Sequence, residues 1–439
     1  MIKKYFYSLL KKYLHLYIFK DDTVISVFPT NRKIVNSFQK FYVAEKCIDN
    51  TTCSAGRIQL KEIKEKSPDF VLLNGILHYE RDIQALLHLI HGQCLGKTRL
   101  IITYYSSLWK PVILLASRFG LRGNLPESNW IAHEDVSNLL LLTDFEIVRS
   151  ESKILIPFYI PVISDWINKY LAPLPFFRIF NLLNIAVARP IIGKSNSKYT
   201  PSVSVVVAAR NEEGNINSIV GRLPSMGPDD ELIFIEGGST DATWDKILEV
   251  YNENKDFMSI QIAQQDGHGK GDAVRKGFAM AKKDILMILD ADLTVPPEEL
   301  PKFYKAIVSG KGEYINGSRL VYPMEERAMR FFNIIGNKFF ATAFSFVLGQ
   351  RFKDTLCGTK VISKKNYEKL SSHRSYFGDF DPFGDFDLIF GSSRMCLKIV
   401  EVPVRYHART YGDTNISRWR HGVILVKMML FAARKIKFI

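Results

Sequence analysis

Ile285-Leu286-Met287-Ile288-Leu289-Asp290-Ala291-Asp292 is the stretch on which the reading of this chain turns. Five aliphatic residues in a row have the composition of a parallel strand buried on both faces. Open α/β sheets gather their ligands at the carboxyl ends of such strands. Two carboxylates one residue apart at that end suit a hard divalent cation that also touches phosphate oxygens. The same residues also fit a plain polar strand end, so the argument has to come from what surrounds them.

Three further strand ends precede this one. Val203 to Val207 runs into Ala208-Ala209-Arg210-Asn211-Glu212-Glu213-Gly214, small residues and carboxylates leading to a helix. Glu231 to Ile235 stops at Glu236-Gly237-Gly238-Ser239-Thr240-Asp241, with a helix expected after it. An acidic residue there can accept hydrogen bonds from a base or a ribose. Ile260 to Ala263 leads to Gly267-His268-Gly269-Lys270-Gly271, where glycines around a lysine open a helix. Backbone donors and an ammonium in that setting face a diphosphate well. Lys270 lacks the glycine spacing and the following Ser or Thr of a Walker phosphate loop, which excludes that motif. Four successive strand ends therefore converge on one nucleotide-sized crevice.

This ordered set resembles the family 2 glycosyltransferases of GT-A fold, from Val203 to about Arg420. The likeness is nearest to dolichyl- and polyprenyl-phosphate sugar transferases. It rests on Asn211-Glu212, Gly238-Ser239-Thr240-Asp241, Gly269-Lys270-Gly271, Asp290-Ala291-Asp292-Leu293 and Gly317-Ser318-Arg319. Asp354-Thr355-Leu356-Cys357-Gly358-Thr359-Lys360, Glu401-Val402-Pro403-Val404, Arg409 and Gly412 continue it. The resemblance implies a UDP- or GDP-linked sugar donor, a Mg²⁺ or Mn²⁺ ion and inversion at the anomeric carbon. Carried over, it implies that Ala208, Arg210, Glu212, Glu236, Asp241, Lys270, Asp290 and Ala291 bind the nucleotide sugar. Glu236 would meet the base, Asp290 the ribose side, and Asp292 the metal. Glu236-Gly237 stands where the family often has an Asp pair, and Ala208-Ala209-Arg210 where it often has Pro-x-Tyr, so the base and the sugar do not transfer.

Charge on the leaving diphosphate calls for cations, and Lys270, Arg319 and Arg409 supply them beside the metal. A lipid phosphate acceptor is already anionic near neutral pH and needs no strong base. A hydroxyl acceptor does need one, and Asp385 or Asp387, in the cluster with Asp379 and Asp381, are the candidates. The same aspartates also read as a rigid loop capping a helix. A sugar nucleotidyltransferase would need a glycine and arginine phosphate loop after its first strand, which Ala208-Ala209-Arg210-Asn211 is not. A non-enzymatic membrane scaffold with two degenerate halves is the remaining alternative.

The 439 residues, 47% hydrophobic and 24% charged, exceed one ordinary core and predict two α/β domains. A polar stretch, 191–201, separates residues 1–190 from 202–420, and 421–439 is a basic amphipathic segment. Strands are expected at Thr23 to Phe28, Phe70 to Leu73 and Arg99 to Thr103, and a helix at Asp82 to His91. Asp69 to Tyr79, with Asp82-Ile83 and Leu100 to Thr103, resembles the later part of a class I S-adenosylmethionine methyltransferase, a Rossmann-like domain. Val24-Ile25-Ser26-Val27-Phe28-Pro29-Thr30-Asn31 lacks the glycine-rich turn that family needs after its first strand. The first domain is therefore read as degenerate, with a structural, membrane-facing or partner-binding role and no S-adenosylmethionine expected.

A formal net charge of +14 favours polyanionic partners such as lipid headgroups or phosphorylated substrates. Nucleic acid is not expected, since aromatics and basic residues do not alternate on any recognition strand. Five scattered cysteines without a Cys-x-x-Cys pair point to neither a disulfide framework nor a zinc site, which fits the cytoplasm. Lys11 and Lys12 interrupt Met1 to Lys20 as a signal peptide, leaving a helix that could lie on a membrane. Trp166 to Pro190, Phe331 to Leu348 and Val423 to Ile439 are apolar but carry charges or prolines. They read as core helices or as segments lying in the membrane interface rather than spanning it. The expectation is a peripheral enzyme of the cytoplasmic membrane face.

Overall fold

The computed structural model describes residues 2–28, 38, 40–45, 57–120, 129–192, 200–323, 331–374, 386–409, 411–412 and 418–439. It divides into two compact units, Met1–Ser195 with Ile436–Ile439, and Asn196–Lys435. Each unit is a mixed α/β sheet with its own core.

In the first unit the strands are β1 (Thr23–Val27), β2 (Lys40–Glu45), β3 (Arg57–Gln59), β4 (Phe70–Asn74), β5 (Arg99–Tyr105), β6 (Phe145–Lys153) and β7 (Leu183–Pro190). They lie in the order 3-2-1-4-5-7-6, parallel through β5, with β7 antiparallel to both β5 and β6. The first five follow the order of open doubly wound sheets, in which the chain reverses direction between β1 and β4. Every residue of β4 is buried, as its unbroken Phe-Val-Leu-Leu run requires. The helix Ile83–Gln93 starts where Asp82 accepts a hydrogen bond from the Ala85 amide (2.8 Å).

Two expectations change here. The apolar stretch 166–190 is not one helix: its last part, Leu183–Pro190, is a buried strand. Its residues pair with β5 on one side and β6 on the other, and that tertiary pairing overrides the helical reading. The amino-terminal helix Ile2–Leu14 places Leu9, Leu10, Tyr13 and Leu14 in the core, so that apolar face is spent inside the unit.

The second unit contains β8 (Val203–Ala209), β9 (Glu231–Glu236), β10 (Ser259–Gln264), β11 (Ile285–Asp290), β12 (Tyr314–Ser318), β13 (Lys360–Ser363) and β14 (Ile399–Pro403). Their order is 10-9-8-11-13-12-14, with β13 antiparallel to its neighbours β11 and β12. Strand register aligns the ends that matter. Asp290 pairs with Ala208, Ala209 with Glu236, and Glu236 with Gln264. The core under these ends joins Val205, Val207, Leu232, Phe234, Met287 and Leu289. Gly277 lets the helix Lys270–Met280 lie against the sheet, since a Cβ there would fall 2.3 Å from Val206. The helix Phe331–Leu348 buries one face through Phe344, which packs on Phe386 and Phe390 at 5.3 and 5.6 Å, and exposes Ile335 and Phe339 on another. No described helix is long and apolar enough to cross a membrane.

Candidate functional site

The site is built at the carboxyl ends of β8, β9 and β11. After β8 the chain turns sharply, with Asn211 in the left-handed region (φ 57°). That conformation is rare for residues with a side chain, and asparagine is among those that tolerate it. Asn211 Oδ1 accepts from the Thr240 amide (2.8 Å), and the Asn211 amide donates to Ser239 Oγ (3.0 Å). The turns after β8 and β9 are thereby locked together. Asp241 belongs to that lock, accepting from the Thr243 amide (3.1 Å) at the start of the helix Thr243–Asn254. Glu236, buried, accepts from the Ser239 amide at 2.5 Å and from Gln264 at 3.3 Å. Arg210 is exposed at the rim, with its Cβ against Gly237.

The turn delivers Glu212 to the side of Asp292. Arg409 lies between them, its Nη2 2.6 Å from Asp292 Oδ2 and its Nη1 3.7 Å from Glu212 Oε1. The other Asp292 oxygen accepts from the Thr294 hydroxyl (2.8 Å) and amide (3.1 Å). Burial pushes the Glu212 carboxyl up to about 7, with Asp292 adding to it against the hydrogen bond from Asn215 and the charge of Arg409. Arg409 reaches this place because the segment after β14 tracks along the site. The His407 amide donates to the Thr294 carbonyl at 2.9 Å, and the Tyr411 ring rests on Gly214, where a Cβ would come within 2.5 Å.

One strand position away, Lys270 Nζ donates to Asp290 Oδ1 at 2.6 Å. Burial opposes ionisation of Asp290, but Lys270, with Lys360 and Arg319 farther off, outweighs it and lowers the carboxyl below its ordinary range. Gly269 precedes Lys270 at φ 87°, a conformation that favours glycine, and opens the helix. The other Asp290 oxygen faces Gly358, whose missing side chain is essential. A Cβ at Gly358 would sit 2.0 Å from Asp290 Oδ2. Antiparallel pairing of β13 with β11 brings the 354–360 segment to this strand end.

That segment has its own fixing point. Arg319 grips Asp354 in a bidentate pair, Nε to Oδ2 at 2.7 Å and Nη2 to Oδ1 at 2.9 Å. Asp354 is fully buried and also accepts from Asn337 (2.8 Å) and from the Arg319 and Leu356 amides (both 3.0 Å). Burial opposes ionisation there too, and the guanidinium outweighs it, drawing the carboxyl down to about 2. Glu401 closes the same segment, accepting from the Lys353 and Asp354 amides.

Of the residues expected from sequence, the structure brings Glu212, Asp290, Asp292, Lys270 and Arg409 together, with Ala208 and Ala291 in the strand ends between them. Arg319 is spent on Asp354. Asp387 starts the helix Phe386–Arg394 and pairs with Arg374 at 3.2 Å. Asp379, Asp381 and Asp385 lie outside the described residues. Sequence reasoning missed Thr294, Gly358 and the Tyr411–Gly214 contact. A glycine two residues before a strand, in Cys357-Gly358-Thr359, was the available signal for one of them.

The description "Glycosyl transferase family 2" fits residues 204–371, which contain every one of these strand ends up to β13. The chain carries a family 2 glycosyltransferase domain. Its architecture is of the GT-A type. Among curated proteins it is 26% identical over 226 residues to glycosyltransferase AglJ of Haloferax volcanii, covering 51% of this chain and 69% of that protein. It is 26% identical to the dolichol-phosphate mannosyltransferase of Pyrococcus furiosus, covering 49% and 59%. To the undecaprenyl-phosphate 4-deoxy-4-formamido-L-arabinose transferase of Edwardsiella ictaluri it is 30% identical, covering 50% and 65%. The chain thus spans between 59% and 69% of the length of these relatives. A solved glucosyl-3-phosphoglycerate synthase of Mycobacterium tuberculosis covers 54% of this chain at 18% identity, with a TM-score of 0.39.

Proposed function

We propose that this protein transfers a sugar, with inversion, from a nucleotide-linked donor to the phosphate of a polyprenyl-type lipid at the cytoplasmic membrane face. The observation that carries the proposal is the Glu212–Arg409–Asp292 bridge beside the Lys270–Asp290 pair, at aligned strand ends of a family 2 domain. Two of the relatives named above act, by name, on dolichol phosphate and undecaprenyl phosphate.

The acids fit a Mg²⁺ or Mn²⁺ ion that is completed by the donor's phosphates. Among the described residues no group of three His, Cys, Asp or Glu forms a ready-made cage. A cation of this kind takes one or two carboxylates and fills its remaining positions from phosphate and water. Asp292 would be the ligand, with Glu212 beside it, and Arg409 bridges the two acids with its positive charge. When bound, the ion supplies charge neutralisation of the leaving diphosphate.

The chain's own groups do the rest. Lys270, at a helix start behind Gly269, turns from Asp290 to the diphosphate, and Asp290 is then free to accept from ribose hydroxyls. Ala208, Arg210, Glu236, Asp241 and Ala291 line the nucleotide side. Arg409 follows the diphosphate charge as it builds. An acceptor phosphate oxygen forms the new bond to the anomeric carbon while the old carbon–oxygen bond breaks. Its electron pair leaves with the nucleoside diphosphate. Arg319 serves by holding the 354–360 segment against Asp290. Pairing of Asp387 with Arg374 favours the phosphate acceptor, which needs no base, over a hydroxyl acceptor with Asp385 or Asp387 as base.

We assign the first unit a degenerate methyltransferase-like fold with a structural, membrane-facing or partner-binding role, an assignment supported by its strand order and by the missing glycine turn after β1. A panel of UDP- and GDP-sugars with a short-chain polyprenyl phosphate and Mn²⁺, run beside Asp292→Asn, tests the whole reading. Equal glycolipid from wild type and variant removes the metal assignment. Product only with hydroxyl acceptors removes the lipid-phosphate one.

A further inference from the structure

The first unit carries an inside-out helix. In the helical stretch 163–171, Ser164 and Asn168 are buried, while Ile163, Trp166 and Tyr170 are exposed at i, i+3 and i+7. The inward polar groups are fully engaged. Ser164 Oγ accepts from the Ile160 amide (2.9 Å) and donates to the Phe158 carbonyl (2.8 Å). Asn168 Oδ1 accepts from the Leu155 and Ile156 amides (2.8 and 3.0 Å). A surface helix of a water-facing protein turns its apolar stripe to the core. This one is built the other way, and its polar side is what fastens it to the unit.

The outward apolar surface continues on both sides. Phe158, Tyr159 and Val162 precede the helix, and Phe176, Ile179 and Phe180 follow it, Phe176 being 71% exposed. The Phe176 and Phe180 rings lie 6.0 Å apart. Trp109 Nε1 donates to the Phe180 carbonyl at 2.8 Å, joining this surface to the helix Lys110–Arg118. On that helix and its flanks Leu108, Val112, Leu115 and Phe119 are exposed at i, i+4, i+7 and i+11, while Ile113 faces inward. A single surface thus presents two outward apolar stripes. Scattered exposed leucines need no explanation, but a contiguous patch of this kind does.

Charge says what covers it. Within 104–120 and 155–182 the charged residues are Lys110, Arg118, Lys169 and Arg178 against Asp165 alone. Asp165 is engaged by the Tyr5 hydroxyl at 2.8 Å, and the Lys169 ammonium lies over the Tyr170 ring at 5.5 Å. Aromatic and aliphatic side chains rimmed by lysine and arginine match a bilayer interface with anionic headgroups.

We propose that this face, made by 108–119 and 158–180, docks the protein on an anionic membrane surface, its two apolar stripes entering the headgroup boundary. Delivery of a membrane-embedded acceptor rests on the function proposed above; the docking itself does not.

Flotation of the full chain with vesicles tests it, using phosphatidylcholine alone and phosphatidylcholine with about 30% phosphatidylglycerol. The wild type floats with the anionic vesicles, and raising the salt to about 0.5 M weakens binding several-fold. Leu115→Asp/Phe119→Asp and Trp166→Asp/Phe176→Asp each lower the bound fraction by about tenfold or more. These positions are exposed, so unfolding temperature and circular dichroism stay at wild-type values. Transfer to a short-chain, water-soluble acceptor stays within about twofold, because the bilayer is bypassed. Variants that float as well as the wild type overturn the proposal. So does a wild type that never floats but is dimeric by light scattering and becomes monomeric in the variants, since a second copy then covers the face. Absence of transfer to any soluble acceptor by the wild type sinks the proposed function and leaves the flotation result standing.

Discussion

The two sheets of this chain share a strand order up to their switch points and differ in what stands there. β3-β2-β1-β4 in the first unit and β10-β9-β8-β11 in the second are the same parallel arrangement, and the point where the order reverses is where sheets of this kind take ligands. In the first unit the described polar groups at that point serve the fold. Asn74 Oδ1 accepts from the Thr103 hydroxyl (2.7 Å), and His78 is clasped by the Asn129 carbonyl (2.7 Å) and the Tyr105 amide (2.8 Å). In the second unit the strand ends carry Glu212, Asp290 and Asp292, shared with the side chains of Lys270 and Arg409, both roughly a third exposed. A fold supplies a crevice; only exchangeable charge turns it into a site.

The sharpest way to break that contrast is to remove the charge. Asp292→Asn is expected to lower sugar transfer by about a thousandfold, the scale of losing a preorganised group at a developing charge. Asn74→Ala, its counterpart at the other switch point, is expected to leave transfer within about twofold. Initial rates on matched folded samples compare the two, and equal losses would end the contrast.

Buried charge separates the units in a second way. Glu151 holds Arg149 (2.8 Å), Lys153 (3.1 Å) and Lys437 (3.2 Å), all buried, with the Arg149 and Lys153 cations also over the Tyr17 and Tyr13 rings. Glu151→Gln leaves three buried cations without a counterion and is expected to cost about 3–5 kcal/mol. Denaturant melts measure the loss, and hydrogen exchange should confine it to the first unit. Asp354→Ala strands Arg319 in the same way and is expected to cost a similar amount, about 3–5 kcal/mol, but within the second unit and with loss of transfer.

The same cluster carries a pH signature. Burial lowers the Lys437 ammonium to about 8, against the pull of Glu151. Its folded pKa lies below the unfolded one, so between about 8 and 10.5 the unfolded chain binds more protons and stability rises with pH. The gain is roughly 2–3 kcal/mol across that window. Lys437→Met should flatten the slope, which melts at several alkaline pH values would read directly. A slope unchanged in the variant would move the effect to another group.

How much of this was legible follows from the physics of each feature. β1, β4, β5, β8, β9 and β11 were readable because buried parallel strands are unbroken apolar runs with polar ends. Asp290, Asp292 and Glu212 were readable because they stand at or just after such runs, and Lys270 because glycines on both sides set it at a helix start. Arg319 was legible as a cation but not as the partner of Asp354, because 35 residues separate them and only the antiparallel turn of β13 makes them meet. The strand Leu183–Pro190 was hidden by an apolar composition that serves a helix equally well. The outward apolar stripes were visible as suspicious composition, but which side faced out depended on where Ser164 and Asn168 found their partners.

Gly358 gives the finest test of the contrast, because it alters no charge. In Gly358→Ala the new Cβ falls 2.0 Å from Asp290 Oδ2, so either the carboxylate rotates away from Lys270 or the 354–360 segment withdraws. Relief is available through a side-chain rotation, so stability should fall by only about 1–2 kcal/mol. Transfer is expected to fall by about tenfold, mostly in KM for the donor, because Asp290 is assigned to the ribose and not to the leaving group. Gly120→Ala in the first unit offers the control. Its φ of 68° makes the substitution strained, yet nothing lies within 4 Å of the added Cβ. It should cost comparable stability and leave the donor KM unchanged. If both substitutions raise KM alike, backbone strain is transmitted through the whole chain, and the close approach of Gly358 to Asp290 is not what shapes the pocket.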